Sequence, residues 1–408
     1  MDADILIIGA GPAGCAAALF LAKAGIKSTL VDKSNFPRDK ICGDALSGKV
    51  VEVLKKLDPI WHRRLAQDKQ ILGSWGVKFY APDGNALRVP FRKERKENDY
   101  APGFITPRLH FDNLLVEDVR ANPLIQFDEN TEIRQVKKET GNWLVSSKEG
   151  KSYSARLIIA ADGPLSPIAR HWGELVTEAS HNCFGIRAYY EGVSDMDTEQ
   201  FIELHFLPEI LPGYFWIFPL PDGRANVGIG MRADKMQSKK INLKKSLEEI
   251  IQRHPRIASR FSSAKVIDGI KQWSLPLGSK RRKISGAGYL LTGDAAQLID
   301  PFTGEGIGNA LMSGMFAAET ALAAIQQNRL DEAFLSSYDA TVYGRLGSEL
   351  SLSYRMQQLV NFPFLFNFIV RKANRNVHLR ETISCMFEDL DLRAKLKSPG
   401  FYWKILFD

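Results

Sequence analysis

The sequence has few cysteines, and none lies at a spacing that suits a metal ion. Cys15, Cys42, Cys183 and Cys385 are scattered through 408 residues. So few cysteines in a chain of this length are typical of the reducing cytoplasm, where thiols stay free. We therefore expect a cytoplasmic protein with reduced thiols and no metal site.

Long hydrophobic runs are also missing. No run of 18 or more apolar residues occurs, so we expect no segment that spans a membrane. The apolar N-terminus has no basic residues before it, and its apolar residues fit a strand and a helix. This pattern argues against a signal peptide.

Charge of one sign does not accumulate in any long block. The net charge is +7 and the pI about 9.0, with 45% hydrophobic and 25% charged residues, as in folded globular proteins. A basic balance without a basic arm argues against nucleic acid as a partner and favours mild attraction to anionic membranes or substrates. The length predicts two or three domains.

Catalytic constellations of side chains are equally absent from the sequence pattern. No Ser–His arrangement and no pair of carboxylates at a telling spacing is visible. The chemistry is therefore expected to belong to a bound cofactor.

A strand, a glycine-rich turn, a helix and a second strand follow one another at the start of the chain. The strand is Ile5–Ile8, the turn Gly9–Gly14, the helix Cys15–Ala24, and the second strand Ser28–Val31 ends at Asp32. This order is the fingerprint of a Rossmann-type unit that binds an adenine dinucleotide. The pattern alone does not say which dinucleotide is bound.

The residues of this fingerprint have separate physical roles. Gly9 permits the tight turn, Gly11 lets the backbone approach a diphosphate, and Gly14 lets the helix pack on the strand. The helix N-terminus offers N–H groups to the phosphates. Asp32 can accept hydrogen bonds from the ribose hydroxyls of the adenosine.

Two later buried strands also end in glycine and aspartate. They lie in Arg156–Gly163 and Tyr289–Ala296, and the glycines of Asp300–Gly308 precede an Ala-rich helix at Asn309–Gln326. Such separate strand ends predict a cofactor laid across several of them. Asp294 either bonds hydroxyl groups of that cofactor or caps a helix.

The middle of the chain is rich in short strands and aromatic residues, which indicates a domain inserted into the cofactor domain. The expected fold class is α/β: a discontinuous Rossmann-type domain, an inserted β-rich substrate domain and a C-terminal helical region. Within it, Val50–Leu65 predicts one helix and Gly73–Tyr80 one strand. The predicted division is 1–70, 104–175 and 276–328 for the cofactor; 71–103 and 176–275 for the substrate; and 329–408 for the helices.

Two further stretches each have two interpretations. The loop Pro37–Ser47 either covers the cofactor or is a surface loop with one buried cysteine, and Gly43 suggests close passage of the backbone. Tyr214, Trp216 and Phe218 alternate, so on a strand they face one side. Such a row forms either ordinary core or the wall of an apolar substrate channel.

Five motifs together resemble the geranylgeranyl reductase family, within the p-hydroxybenzoate hydroxylase-like flavoproteins. The stretch Pro212–Pro219 is similar to the family's Tyr-x-Trp-x-Phe-Pro signature, although Leu220 stands where the family often has Lys. The other four are the fingerprint at Gly9–Gly14, the Cys42-Gly43 loop, Asp162–Ser166 with Arg170, and Gly293-Asp294 through Gly306-Ile307.

The resemblance implies FAD as the dinucleotide. On matching positions, FAD contacts would come from Ala13, Asp32, Arg108, Asp294, Gly306 and Ile307, and the flavin side would be lined by Cys42, Gly43 and Ala45. Arg108 would neutralise the diphosphate or, alternatively, pair with a surface acid. Cys42, Tyr214 and Trp216 are the candidate catalytic residues.

The activity that the resemblance implies is reduction of isolated carbon–carbon double bonds in an isoprenoid or similar lipid. Reduced flavin would deliver hydride to one alkene carbon, and a protein or solvent acid would protonate the other. NAD(P)H or a ferredoxin would supply the electrons. The alternative is a flavin monooxygenase or halogenase on the same fold.

The C-terminal part contains an aromatic run, Leu359–Val370, with basic residues directly after it, and the chain ends in the aromatic stretch Phe401–Phe407. Twelve apolar residues are too few to span a bilayer. The run is either a helical cap on the second domain or a peripheral membrane contact, with Phe364 and Phe366 as the contacting aromatics.

Overall fold

The computed structural model describes residues 2–92, 94–96, 99–139, 141–377 and 379–380. The helices are α1 (Pro12–Lys23), α2 (Gly48–Leu57), α3 (Ile60–Gln67), α4 (Arg108–Ala121), α5 (Pro167–His171), α6 (Ala233–Ser238), α7 (Leu243–Arg253), α8 (Ile307–Gln326), α9 (Glu332–Leu359) and α10 (Pro363–Arg375).

The strands alternate with these helices in the first part of the chain and dominate its middle. They are β1 (Asp2–Ile8), β2 (Ser28–Val31), β3 (Ala45–Leu46), β4 (Leu72–Ser74), β5 (Gly76–Tyr80), β6 (Ala86–Pro90), β7 (Gly103–Ile105), β8 (Ile125–Asp128), β9 (Ile133–Lys138), β10 (Trp143–Ser147), β11 (Ser152–Ala160), β12 (Asn182–Glu191), β13 (Ile202–His205), β14 (Tyr214–Pro219), β15 (Arg224–Arg232), β16 (Lys265–Val266), β17 (Lys271–Pro276), β18 (Ser285–Gly286) and β19 (Tyr289–Leu291).

The first sheet is the Rossmann-type sheet that the sequence predicts. Its order is β18-β19-β11-β1-β2-β8, and the strands from β19 to β8 run parallel. Ile5, Leu6 and Ile7 are fully buried, as expected of a parallel strand covered on both faces. Helices α1 and α8 pack closely against each other. The close approach requires glycine at position 314, because a Cβ atom there would overlap the Ala13 carbonyl group.

The second sheet has the order β16-β12-β15-β14-β13-β5-β6, with β17 also paired to β12. Its strand β14 shows how the two faces differ. Phe215 and Ile217 lie in one core with Leu247 of α7, whereas Trp216 and Phe218 lie in a separate core on the opposite face. The period of two along the strand therefore directs the predicted aromatic row away from α7.

Two predicted elements are divided in the structure. The helix predicted over Val50–Leu65 is broken into α2 and α3, because Asp58 is extended ahead of Pro59, as residues before proline prefer. The strand predicted over Gly73–Tyr80 is two strands in two sheets. Its first part, β4, joins β3 and β7 in a small sheet, and β5 enters the second sheet.

We propose the sequence-based division as the domain organisation. The strands of the Rossmann sheet all fall within 1–70, 104–175 and 276–328, and those of the second sheet fall within 71–103 and 176–275 apart from Pro276. Helices α9 and α10 follow as the described part of 329–408. None of the described helices is long and apolar enough to cross a membrane.

Candidate active site

The glycine-rich turn after β1 forms a cradle of bare backbone. Gly9 has φ +99°, a conformation that side-chain-bearing residues rarely adopt, and a Cβ atom there would overlap Ala161. A Cβ atom at Gly14 would overlap the Gly9 carbonyl oxygen. Both glycines therefore permit contacts within the protein, and they bring the start of α1 against β1.

Gly11 serves a different purpose, because the space beside it is open. A Cβ atom there would meet only the Arg38 guanidinium, at 3.6 Å. Among the described residues, no side chain caps the first N–H groups of α1. A helix N-terminus with open space and a nearby guanidinium suits a diphosphate.

Arg108 is buried, and its partner in this structure is a buried acid and not a surface acid. Its guanidinium donates two hydrogen bonds to Asp112, at 2.6 and 2.8 Å, and Arg38 bonds the same carboxylate at 2.7 Å. The two arginines hold the pKa of Asp112 below its usual range against the opposing effect of burial. The predicted contact of Arg108 with the diphosphate stays a prediction; the acid that it does contact is buried rather than on the surface.

Asp32 ends β2 as predicted, and its carboxylate is already partly engaged. It accepts hydrogen bonds from the N–H groups of Ala10 and Ser34, at 2.7 and 2.8 Å. These two bonds fix the carboxylate beside the glycine-rich turn. Its remaining lone pairs can accept from ribose hydroxyls.

The N-terminus of α8 is a second helix start at the site. Helix α8 begins after Gly306, and Asp294 lies beside it, with Oδ1 3.8 Å from the Cβ position of Gly306. Lys40 of the loop after β2 donates to Asp294 at 2.9 Å. This ion pair joins the loop after β2 to the segment after β19, across 254 residues of sequence.

A cavity of about 190 Å³ connects these features with the second sheet. Nine of the predicted site residues line it: Cys42, Gly43, Ala45, Arg108, Tyr214, Trp216, Asp294, Gly306 and Ile307. The predicted residues outside its lining are Gly9, Gly11, Ala13, Gly14 and Asp32, which lie at the β1–α1 turn, where Pro12 forms part of the cavity wall.

The aromatic row of β14 touches the loops of the Rossmann-type half. The Tyr214 hydroxyl donates to the Thr303 carbonyl at 2.7 Å, next to Gly304. A Cβ atom at Gly43 would lie 2.9 Å from the Phe218 ring, so only glycine fits there without displacing that ring. The predicted row therefore forms a wall of the cavity and is not confined to a core.

Trp216 occupies the middle of this row and is held by β15. A Cβ atom at Gly228 would overlap its indole ring, and its Nε1–H donates to Asn226 Oδ1 at 2.9 Å. The Asn226 amide in turn donates to the Cys42 carbonyl and to Asp44 Oδ2, both at 2.8 Å. Asn226 therefore ties the signature tryptophan to the Cys42 loop.

Sequence reasoning did not single out Asp44, Asn226, Tyr189 or Lys40 as site residues. Asp44 has no exposed surface, adopts φ +70°, and accepts from the Tyr189 hydroxyl at 2.6 Å. An aspartate in a loop normally indicates a solvated turn. The sequence does contain one signal for Asp44: it directly follows Cys42-Gly43, in a loop that one interpretation places over the cofactor.

Cys42 and Tyr214 are both neutral groups in this environment. Burial raises the pKa of the Cys42 thiol, and burial likewise raises the pKa of the Tyr214 phenol. Neither side chain therefore resembles an activated nucleophile, which requires a lowered pKa. Their position on the cavity wall remains compatible with the predicted catalytic roles, as lining groups.

Comparison with known proteins identifies the family. A family model described as an FAD binding domain matches residues 2–343. Digeranylgeranylglycerophospholipid reductase 2 of Methanopyrus kandleri is 30% identical over 353 residues, which cover 83% of this chain and 81% of that protein. The chain belongs to the geranylgeranyl reductase family. It is an FAD-dependent oxidoreductase, as the sequence motifs predict.

Other similar proteins have different names and different degrees of similarity. Menaquinone reductase of Mycobacterium tuberculosis is 28% identical, with 89% of this chain and 85% of that protein covered. The crystal structure of a geranylgeranyl bacteriochlorophyll reductase-like protein from Thermoplasma acidophilum aligns with a TM-score of 0.78 and 25% identity over 91% of each chain. A flavin-dependent brominase, 19% identical with a TM-score of 0.76 over 95% of each chain, shares the fold alone.

The geometry fits FAD, the cofactor of the family. The glycine cradle and the N-terminus of α1 suit the diphosphate, Asp32 the adenosine ribose, and Asp294 a hydroxyl group between the two ends. The N-terminus of α8 suits the electron-rich carbonyl edge of a flavin. When bound, reduced FAD would supply a hydride.

Proposed function

We propose that this reductase saturates isolated carbon–carbon double bonds of an isoprenoid lipid. The observation that carries the proposal is the apolar wall of the cavity. The wall on the side of the second sheet consists of Trp216, Phe218, Leu204, Ile202 and Phe206. An unbranched polar substrate would leave this wall without a partner, whereas a prenyl chain would cover it.

The side chains of this wall are apolar or aromatic, so they can align a substrate but supply no nucleophile for covalent chemistry. Aromatic rings on β14 present flat apolar surfaces that hold a prenyl chain and exclude water from it. The Asn226 and Thr303 hydrogen bonds fix the orientation of Trp216 and Tyr214. The relative named digeranylgeranylglycerophospholipid reductase, a name that contains the geranylgeranyl group, supports the same substrate class.

The test is anaerobic turnover of the reduced holoprotein with geranylgeranyl lipids. We expect oxidation of the bound flavin after mixing with the lipid, and a product heavier by two hydrogens for each double bond reduced. A menaquinone with an unsaturated tail serves as the second substrate. Mass spectrometry of the extracted lipid gives the result.

The monooxygenase or halogenase alternative predicts a different outcome. The reduced protein would remain reduced with every lipid under anaerobic conditions, and admission of oxygen would add an oxygen or halogen atom to the product. That result would refute the reductase proposal. NAD(P)H and reduced ferredoxin are the proposed electron donors, and anaerobic bleaching of the flavin by one of them identifies which is used.

We further propose that α10 contacts an anionic membrane surface. Its inward side chains, Phe366 and Val370, are buried, and Phe366 packs on Phe206 of the cavity wall with ring centroids 4.8 Å apart. Its outward aromatics are exposed: 86% for Phe364 and 53% for Phe368. One side of the helix therefore covers the second sheet, as in the cap interpretation, and the other side presents an exposed aromatic surface.

Charge on the same helix supports a lipid surface as the partner. Residues 364, 368, 371 and 375 follow a helical spacing, so the two exposed phenylalanines lie in line with Arg371 and Arg375. Arg371 also pairs with Asp83 at 2.6 Å, which anchors the helix to the second sheet. Aromatic rings beside cationic groups are typical of peripheral helices on anionic membranes.

Of the two aromatics predicted to contact the membrane, Phe364 is exposed and Phe366 is buried. Phe366 contributes to the core, so its replacement by aspartate would damage the fold, and Phe368 takes its place. We expect the Phe364→Asp, Phe368→Asp protein to co-sediment less with vesicles containing phosphatidylglycerol than the wild type does, with equal FAD content. Equal binding of the wild type to anionic and to phosphatidylcholine vesicles would refute the proposal. The aromatic stretch Phe401–Phe407 lies outside the described residues.

A further inference from the structure

The loop that follows Cys42 contributes a buried aspartate to the cavity wall. Asp44 is among the residues that line the cavity, and its side chain is inaccessible to bulk solvent. Its neighbours along the chain, Gly43 and Ala45, line the same cavity at the predicted flavin side. We expect the substrate and the cofactor to meet beside this loop.

The two oxygens of Asp44 have very different surroundings. Oδ2 accepts hydrogen bonds from the Tyr189 hydroxyl, at 2.6 Å, and from the Asn226 amide, at 2.8 Å. Oδ1 is buried and has no hydrogen-bond partner among the described residues. A protonated carboxyl group would satisfy both observations, because Oδ2 would remain an acceptor and the proton would reside on Oδ1, free to be given away.

The electrostatic surroundings favour a protonated Asp44 at mildly acidic pH, well above the range of an ordinary aspartate. Burial raises the pKa of Asp44 to about 6, and the donors Tyr189 and Asn226, with the positive charges of Arg187 and Arg108, limit the rise. Tyr189 and Arg187 face Asp44 from β12, Arg108 from α4, and the neutral Cys42 thiol from its own loop. Acids with a pKa near the working pH are the most effective proton donors.

We propose that Asp44 is the acid that protonates the alkene during reduction. In this step the π bond breaks and two C–H bonds form: one carbon receives the hydride that the reduced cofactor supplies, and the other receives the proton of Asp44 Oδ1. The hydride brings the electron pair of one C–H bond, and the π electron pair forms the other bond with the proton. The cofactor would be left oxidised and Asp44 as a carboxylate, which regains a proton when water enters the cavity after the product leaves. This inference rests on the proposed alkene reduction.

A purely structural role is the competing explanation. Asp44 joins the Cys42 loop to Tyr189 of β12 and Asn226 of β15, so it also holds the two halves of the site together. The Asp44→Asn variant separates the two roles, since the amide keeps an acceptor oxygen for Tyr189 and tolerates the left-handed backbone but has no acidic proton. Asp222→Asn is the matched control, because Asp222 also has a positive φ, of +63°, but is exposed and outside the cavity lining.

The first readout concerns the proton itself and needs no turnover. Infrared difference spectra of the oxidised holoprotein between pH 4 and pH 9 should contain a carboxylic acid carbonyl band that disappears with a midpoint near the pKa of Asp44. We expect Asp44→Asn to lack this band and Asp222→Asn to retain it. A wild-type spectrum without a titrating band that depends on Asp44 would overturn the proposal.

The second readout is a single anaerobic turnover of dithionite-reduced protein with a geranylgeranyl lipid. The wild-type rate should fall as pH rises through the pKa, since the donor is then ionised. Asp44→Asn should slow flavin reoxidation about 100-fold or more, with full FAD content and no remaining dependence on this pKa. A wild-type rate in that variant would overturn the proposal.

Tyr189→Phe gives an independent check if Asp44→Asn folds poorly. The Tyr189 hydrogen bond lowers the pKa of Asp44, so its removal should move the pH limit of the rate to higher pH. An unmoved limit would refute Asp44 as the donor, because a structural tie predicts only a lower rate. Wild-type protein that is not reoxidised by any lipid would instead refute the proposed function, whatever the infrared band shows.

Discussion

The two sides of the cavity are built in different ways. On the Rossmann-type side, the glycine cradle comes from a short stretch of chain, since Gly9, Gly11 and Gly14 lie within one turn, and Asp294 lies three residues after β19. On the side of the second sheet, the wall depends on partners far apart in sequence, such as Gly43 with Phe218. The first side is suited to hold a fixed cofactor, and the second to shape a substrate.

This difference implies that substitutions on the two sides should have separable effects. Changes at the two packing glycines of the cradle, Gly9 and Gly14, should affect folding and FAD binding together. Changes in the aromatic row should affect substrate turnover while FAD stays bound, because the row touches the cofactor loops without forming the cradle. The following predictions test that separation.

The broadest effect, on both stability and cofactor content, is expected from Gly14→Ala. The added methyl group would overlap the Gly9 carbonyl oxygen, so α1 would have to move away from β1. We expect a loss on the order of 1–3 kcal/mol or more in unfolding free energy, and purified protein with little FAD. Flavin absorbance and thermal unfolding give the measurement.

Gly11→Ala is the matched control within the same turn. Its methyl group would meet only Arg38 at an ordinary 3.6 Å, so the apoprotein should unfold at nearly the wild-type temperature while its affinity for FAD falls. If both glycine variants destabilised the apoprotein equally, the distinction between a packing glycine and a ligand glycine would be wrong.

The next effect compares neighbouring residues on β14. Phe215 is fully buried on the face toward α7, so Phe215→Ala should cost about 3–5 kcal/mol of stability. Trp216→Ala opens the cavity wall on the other face and should lower lipid turnover at least tenfold, with flavin spectrum and FAD content nearly unchanged. Loss of flavin or of folding in Trp216→Ala would show that Trp216 is ordinary core.

A smaller effect is expected from Asp294→Ala. A hydrogen bond from an FAD hydroxyl to a carboxylate is worth roughly 1.5–3 kcal/mol, so the loss of one should raise the dissociation constant about 10-fold to 150-fold. Isothermal titration of the apoprotein with FAD measures it. An unchanged affinity, together with a less stable α8, would indicate that Asp294 only supports the start of that helix.

The sequence predicts one side of the site far better than the other. The cradle residues and Asp32 follow each other along β1, α1 and β2, so their spacing alone defines their geometry. Asp44, Tyr189 and Asn226 meet only in the folded chain, because Asp44 lies 145 residues from Tyr189 and 182 from Asn226. No local period connects them, and a loop aspartate carries the pattern of a solvated turn.

Element boundaries failed where a single residue outweighed a periodic pattern. Pro59 divided a helix whose apolar spacing continues to Leu65, since proline restricts the residue before it. The strand ending at Tyr80 changes sheets after Ser74, where β4 ends. Phe366 and Phe364 are two residues apart on α10 and face opposite environments, which only the packing of that helix on Phe206 determines.

The central claim is that FAD and the apolar wall meet at the Cys42–Ala45 loop. The most direct measurement is a crystal structure of the protein with FAD bound. We expect the flavin ring between this loop and the start of α8 at Gly306-Ile307, with Tyr214 and Trp216 facing the open side of the ring. A flavin ring lying away from the loop, or Trp216 separated from the ring by protein, would contradict the account.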